Sequence, residues 1–294
     1  MTDLDTFVHF SDEQIAQRLA VCGEIVCGFP IIGVRRWYTM EFGQFLNGSA
    51  TPHYHTEVTA RLLNLYAMFF RHGVHTLISP LHGLIEEPQE LLASRLRWLD
   101  ILTTHSDFLS FYETFDVRVY FYGDYRRKLA GTPYAHLPGQ FERLSKYTRG
   151  HRSHRLFYGV FPHHAAENIA DLSVRHFIST GQVPDRRTMS ELYYGEAIEA
   201  VNLFVGFGAF NPSDYPLLDF SHENLYFIAA PSLYLEQDQL RRILHDYLHP
   251  RQEPEVAQLS APELAAMKEF YLAQRNATLG LGSLRPGAWV ASRG

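Results

Sequence analysis

The sequence predicts an α/β fold, a mainly parallel central sheet flanked by helices. Apolar strand-like runs alternate with helix-periodic segments along the whole chain. Glycines and capping residues fall where such elements should end. No internal repeat, low-complexity tract or linker interrupts the pattern. Residues 1–294 therefore read as a single domain, with a helical extension from about residue 250.

Taken in order, Glu24–Ile32 (EIVCGFPII) reads as a buried strand, rich in Ile, Val and Phe. Residues 38–55, with Gly43, Asn47-Gly48 and Pro52, read as irregular. Val58, Leu62, Leu65, Tyr66 and Phe69 recur at spacings of three and four, predicting a helix over 56–72 stopped by Gly73. Val74–Ser79 is the next strand. Helices follow near 87–104 and 107–115, with Ser106 placed to cap the second. Val117–Tyr122 (VRVYFY) predicts a strand ending at Gly123-Asp124, and a polar helix-loop region runs on to about 153. Arg155–Phe161 is a strand, Ala165–Ser179 a helix closed by Gly181, and Thr188 can cap a helix reaching about 200. Asn202–Gly206 and Leu225–Ala230 are the last strands. Gln237–Leu248 is an amphipathic helix, and Ser260-x-x-Glu263 has capping-box spacing before a final helix. The tail from Gly280 shows no regular pattern.

Composition narrows the function classes. With 46% hydrophobic and 20% charged residues, the chain has an ordinary globular balance and can bury a sizeable core. Its 21 Phe and 17 Tyr serve either packing or an apolar substrate cavity. A net charge of −6 provides no basic footprint for nucleic acid, but it permits a local anion site. Cys22 and Cys27 form neither a redox CxxC nor, without further cysteines, a zinc site; they read as two buried free thiols. The opening MTDLDTFVHF lacks a basic n-region and an apolar h-region, and no apolar run reaches the ~18–20 residues of a membrane helix. A cytoplasmic protein with no membrane span is expected.

Ligands of such sheets bind beyond the carboxyl ends of the strands. Gly33-Val34-Arg35-Arg36-Trp37 sits at such an end. The glycine permits close backbone approach, and arginine forks match phosphate oxygens, so the motif reads as a phosphate or diphosphate site. The alternative is a surface loop whose arginines pair with carboxylates. His53-Tyr54-His55 can be an acid/base or metal cluster, although no HExxH-like carboxylate accompanies it. His163-His164 reads equally well as a partly exposed polar helix start, and Arg126-Arg127-Lys128 reads more readily as a solvated helix start. Gly206-Phe207-Gly208 is too short for a dinucleotide fingerprint, and no GxSxG or DDxxD motif occurs.

Gly33–Trp37 resembles the diphosphate loop of the cis-prenyltransferases, the undecaprenyl diphosphate synthase superfamily, whose first strand opens into Asp-Gly-Asn-Gly-Arg-Trp. The segments FPIIGVRRWY, RHGVHTLISP, FYGDYRRKL, ELYYGE, VGFGAF and LRRIL resemble more closely the diterpene-handling branch of that superfamily. The likeness runs from about residue 24 to near the C-terminus. It implies a cis-prenyltransferase-like fold, a homodimer, and diphosphate binding by Gly33, Val34, Arg35 and Arg36. It also implies an active-site role for Tyr54, with His53 or His55 positioning or deprotonating water. Three departures accompany it. The family's aspartate before the loop glycine, which bears on Mg2+ binding, is Ile32 here. The arginines that hold a second diphosphate in chain-elongating members align with Val205 and Asn211. A magnesium-binding glutamate aligns with Asn224. These changes disfavour chain elongation and put a magnesium cofactor in question.

What the resemblance implies is therefore a one-diphosphate reaction. The substrate is a bicyclic diterpenyl diphosphate of the tuberculosinyl (halimadienyl) or kolavenyl type, supplied by a separate class II diterpene cyclase. Arg35 and Arg36 stabilise the departing diphosphate, and water captures the allylic cation to give a kolavelool-like alcohol. Transfer of the diterpenyl group to a nucleoside such as adenosine, and a non-catalytic subunit, are the alternatives.

Overall fold

The computed structural model describes residues 3–43, 51–82, 89–163, 165–198, 200–207, 214–220, 224–249, 259–275, 282–285 and 288–291. Its strands are β1 (Val26–Gly28), β2 (Thr76–His82), β3 (Val117–Tyr122), β4 (His154–Val160), β5 (Ala200–Val201), β6 (Leu203–Phe207), β7 (Asp219–Phe220), β8 (Leu225–Ile228), β9 (Gly282–Arg285) and β10 (Ala288–Ala291). The helices are α1 (Leu4–Phe7), α2 (Asp12–Leu19), α3 (Val34–Phe42), α4 (Pro52–Arg71), α5 (Gln89–Thr104), α6 (Ser106–Thr114), α7 (Tyr125–Leu129), α8 (Leu137–Tyr147), α9 (Ala166–Thr180), α10 (Arg186–Tyr194), α11 (Gln237–Tyr247) and α12 (Ala261–Gln274).

Six strands form one sheet in the order β3-β4-β2-β1-β6-β8, every neighbouring pair parallel. All six carboxyl ends therefore lie along one edge, and the central β1 is flanked by β2 and β6. Side chains alternate across the sheet. Cys27, Leu77, Val119, Tyr158 and Val205 join an apolar layer with α2, α4, α5, α6, α8 and α11. Val26, Ile78, Tyr120, Phe157 and Phe204 face the opposite way, towards α10 and the short β5–β7 pair. Burial on both faces explains why the strand segments are apolar throughout.

Several boundaries differ from the sequence reading. The strand expected over 24–32 is only three residues long, although Phe29 and Ile31 still donate to the Ile78 and Pro80 carbonyls, 2.9 and 3.1 Å away. Within the segment expected to be irregular, residues 38–42 and 52–55 are helical, and Asn47-Gly48 lies outside the described residues. Gly33 and Gly43, both left-handed, bound α3, while Thr51 caps α4 and Pro52 occupies its first turn. His105 caps α6 in place of Ser106, and Asp185 caps α10 in place of Thr188. Cys22 is exposed; only Cys27 is buried. The tail forms an antiparallel hairpin, β9–β10. Gly181 does close α9, and Ser260 and Glu263 form the expected capping box. α12 is exposed over nearly its whole length. Among the described residues, no helix is long and apolar enough to cross a membrane.

Candidate active site

The carboxyl end of β1 leads through Phe29–Ile32 into Gly33, whose φ is +77°. This left-handed residue starts α3 without a side-chain cap, and the first intrahelical bond is Trp37 N–H to Gly33 O at 2.9 Å. The positive end of the α3 dipole thus faces the sheet edge, with Arg35 half-buried and Arg36 exposed on the first turn. The loop is held from the far side of the sequence. Ile32 N–H donates to Ser232 Oγ at 3.1 Å, and Ser232 N–H donates back to Ile32 O at 3.0 Å. A methyl on Gly33 would come within 2.9 Å of Pro231 Cβ, so this position combines a positive φ with a close approach.

α4 brings in the second group. Tyr38 of α3, fully buried, shares a 2.7 Å hydrogen bond with His53 Nδ1, and His53 Nε2 lies 3.6 Å from Glu57. Tyr54, 9% exposed, packs edge-on against Tyr38 and His55, with ring centroids 5.0 and 5.4 Å away. His55 is 7% exposed, and neither of its ring nitrogens has a hydrogen-bond partner. Burial, and secondarily the Arg97 charge, push its imidazole below the usual histidine range. The structure therefore joins the Arg35–Arg36 turn to His53, Tyr54 and His55 through α3–α4 packing. Tyr38 and Ser232 are parts of this arrangement that the sequence reading missed. For Tyr38 the signal was present: once α3 is helical, Trp37 and Tyr38 fall on its inward face.

Other candidates lie elsewhere. Arg127 pairs with Asp124 and Glu167, and Arg126 with Glu142, as in a solvated helix start. His163 lies against Asp214; His164 is outside the described residues. Val205 is fully buried in the apolar layer. Asn224 precedes β8, at the amino ends of the strands, and its Nδ2 donates to Asn202 O at 3.3 Å. Neither residue offers a charged donor or a carboxylate. Asn211 lies outside the described residues. No Lys or Arg occurs between Arg187 and Arg241, the stretch containing β6, β8 and the segment joining them.

The described residues do not form a cradle for magnesium. Ile32 offers no side-chain donor, Glu41 accepts from Tyr234 Oη at 2.6 Å, and Glu57 faces His53. No group of three His, Cys, Asp or Glu that could hold a metal is present among the described residues.

Comparison with known proteins places this geometry. The fold resembles lavandulyl diphosphate synthase from Lavandula x intermedia, solved with dimethylallyl diphosphate (TM-score 0.57, 15% identity, covering 77% of this chain and 96% of that one). It also resembles a probable undecaprenyl diphosphate synthase from Campylobacter jejuni (TM-score 0.55, 14% identity, 78% and 97% covered). The architecture is thus that of a cis-prenyltransferase. No family model matches the sequence. The chain is, however, 34% identical over 286 residues to a tuberculosinyl adenosine transferase from Mycobacterium tuberculosis (strain CDC 1551 / Oshkosh), covering 94% of each protein. The chain belongs to that transferase's family, and its fold is the cis-prenyltransferase fold.

Proposed function

We propose that the protein ionises a bicyclic diterpenyl diphosphate and captures the allylic cation with water, releasing a diterpene alcohol and diphosphate. The observation carrying this reading is the α3 start, where Gly33, an uncapped helix N-terminus and two arginines face the sheet edge. Arg35 and Arg36 hold the diphosphate and stabilise the charge that develops on it as the allylic C–O bond breaks. The apolar layer beneath α4 receives the hydrocarbon and limits water around the cation. Tyr54, at the head of that layer, orients the attacking water. His53 is held by Tyr38 and Glu57, which leaves His55 as the inward-facing imidazole. The cation-free stretch between Arg187 and Arg241 supports one diphosphate rather than two. The substrate is of tuberculosinyl or kolavenyl type, formed by a separate class II cyclase, and the enzyme acts as a homodimer.

A second reading is transfer of the diterpenyl group to a nucleoside, favoured by the name of the 34% identical relative. Incubating the protein with bicyclic diterpenyl diphosphates in 18O-water, with and without adenosine, separates the two. Labelled alcohol formed without adenosine supports hydrolysis; product formed only with adenosine refutes it.

A further inference from the structure

The apolar layer between α4, α6 and the sheet contains several polar groups, and most are satisfied. Tyr66 Oη and Ser79 Oγ are 2.8 Å apart, and Tyr112 Oη lies 3.1 Å from Tyr158 Oη and 3.4 Å from Leu102 O. Further towards the start of α4 the pattern breaks. Thr59 is 3% exposed and its Oγ1 has no partner, and both nitrogens of His55 are likewise unpaired. The two residues are four apart on one helix, so they share a face, separated by about 6 Å along the axis.

The Thr59 hydroxyl is unusual within this chain. A buried helical threonine ordinarily donates to the carbonyl four residues back. The buried Thr103 does so at 3.2 Å, as do the exposed Thr56 and Thr104 at 3.2 and 2.8 Å. Thr59 does not bond the His55 carbonyl and sits on the inward face of the helix with Leu62 and Tyr66. Buried polar atoms without partners are rare and destabilising, and two such residues together on one face call for a ligand that supplies their hydrogen bonds.

We propose that Thr59 and His55 hold the water molecule that captures the allylic cation, just inside Tyr54. This rests on the hydrolytic reading above and adds a residue to it. In the step, the C–O bond to diphosphate breaks with both electrons leaving on the phosphate oxygen. A lone pair of the held water forms the new C–O bond. The proton released from that oxygen passes to His55, which returns it to the departing diphosphate or to solvent. Burial favours the uncharged imidazole that such a role requires. A neutral imidazole provides one donor and one acceptor, and Thr59 provides a hydroxyl that can do either, which suits a single water. No fixed charge is needed, in keeping with an apolar surround that must also accept hydrocarbon.

The test is the ratio of alcohol to olefin, counted per diphosphate released, for a bicyclic diterpenyl diphosphate in 18O-water. Thr59→Val keeps the shape and removes the hydroxyl. It should lower the ratio at least about tenfold, because the unheld cation loses a proton instead, while Tm holds or rises because an unpaired hydroxyl is gone. Thr59→Ser should restore the ratio. Thr148→Val, which removes a fully buried hydroxyl bonded to Leu144 O at 3.0 Å and to Val119 N–H at 3.1 Å, outside the layer beneath α4, should lower Tm and leave the ratio alone. An unchanged ratio in Thr59→Val overturns the proposal whatever its Tm, and a fall in Tm with that unchanged ratio assigns the hydroxyl to folding. A wild-type protein that releases no diphosphate, or releases it only with adenosine, refutes the hydrolytic reading and this proposal with it.

Discussion

Replacing Gly33 by alanine tests how the proposed diphosphate loop is built. Two costs arise together. The residue has φ +77°, where an L side chain costs about 1–2 kcal/mol. The added methyl also meets Pro231, at 2.9 Å from Cβ and 3.2 Å from Cγ. Overpacking of this kind costs about 1–3 kcal/mol. The sum is about 2–5 kcal/mol, unless the chain moves to relieve it. Such movement would shift Ile32 away from Ser232 and re-aim Arg35 and Arg36. Gly43 is a natural control, since its φ is +63° but nothing lies within 4 Å of its added methyl. Gly43→Ala should therefore show the backbone cost alone, about 1–2 kcal/mol. Urea unfolding of both variants gives the difference, and Pro231→Gly in the Gly33→Ala background should recover the contact part only. The reasoning is wrong if Gly33→Ala destabilises no more than Gly43→Ala, or if turnover survives intact in a clearly destabilised Gly33→Ala.

Arg35→Ala and Arg36→Ala should each lower diphosphate release about 100-fold or more, with Tm nearly unchanged; near-full turnover in either removes that residue from the anchor. Arg61 ties α4 to the 232–236 segment, donating to Leu233 O at 2.7 Å, to Leu235 O at 2.9 Å and to Glu236 at 2.8 Å. Arg61→Ala should cost about 2–3 kcal/mol in urea unfolding and weaken turnover through the Ser232–Ile32 contact, and a loss under about 0.5 kcal/mol would show that the clamp is unimportant. Stability should fall with acid. His72 donates from Nδ1 to Met68 O and accepts from Arg241 at Nε2, while burial lowers its pKa below 6.5, as it does for His55 and His154. The unfolded chain then binds more protons than the folded one, so this stability is fully present above pH 6.5 and lost as pH falls through the folded values. Urea midpoints that stay flat from pH 7.5 to 5.5 would contradict this.

Much of this was legible in the sequence because its causes are local. Strand segments announce themselves by apolar runs, and Gly33 followed by two arginines marks a helix start at a strand's carboxyl end within five residues. Caps were harder to place. Ser106 and Thr188 lie beside His105 and Asp185, and the choice between adjacent capping residues depends on backbone angles that the sequence does not display. The helix over Val34–Phe42 was hidden because Gly33 and Gly43 look like loop residues, whereas their left-handed conformations start and stop it.

Order along the chain, fold class and the position of the Gly33–Trp37 turn at a strand's carboxyl end came from sequence alone, since periodicity and turn chemistry act over a few residues. The tertiary structure decided which distant residues complete the site. Ile32 meets Ser232 across 200 residues, and His53 finds Tyr38 only once α3 packs on α4. It also exposed Cys22, leaving only Cys27 buried. Whether a buried polar atom has a partner depends on packing from several elements at once. Thr56 and Thr59 look alike in sequence, yet only Thr56 bonds back into its own helix.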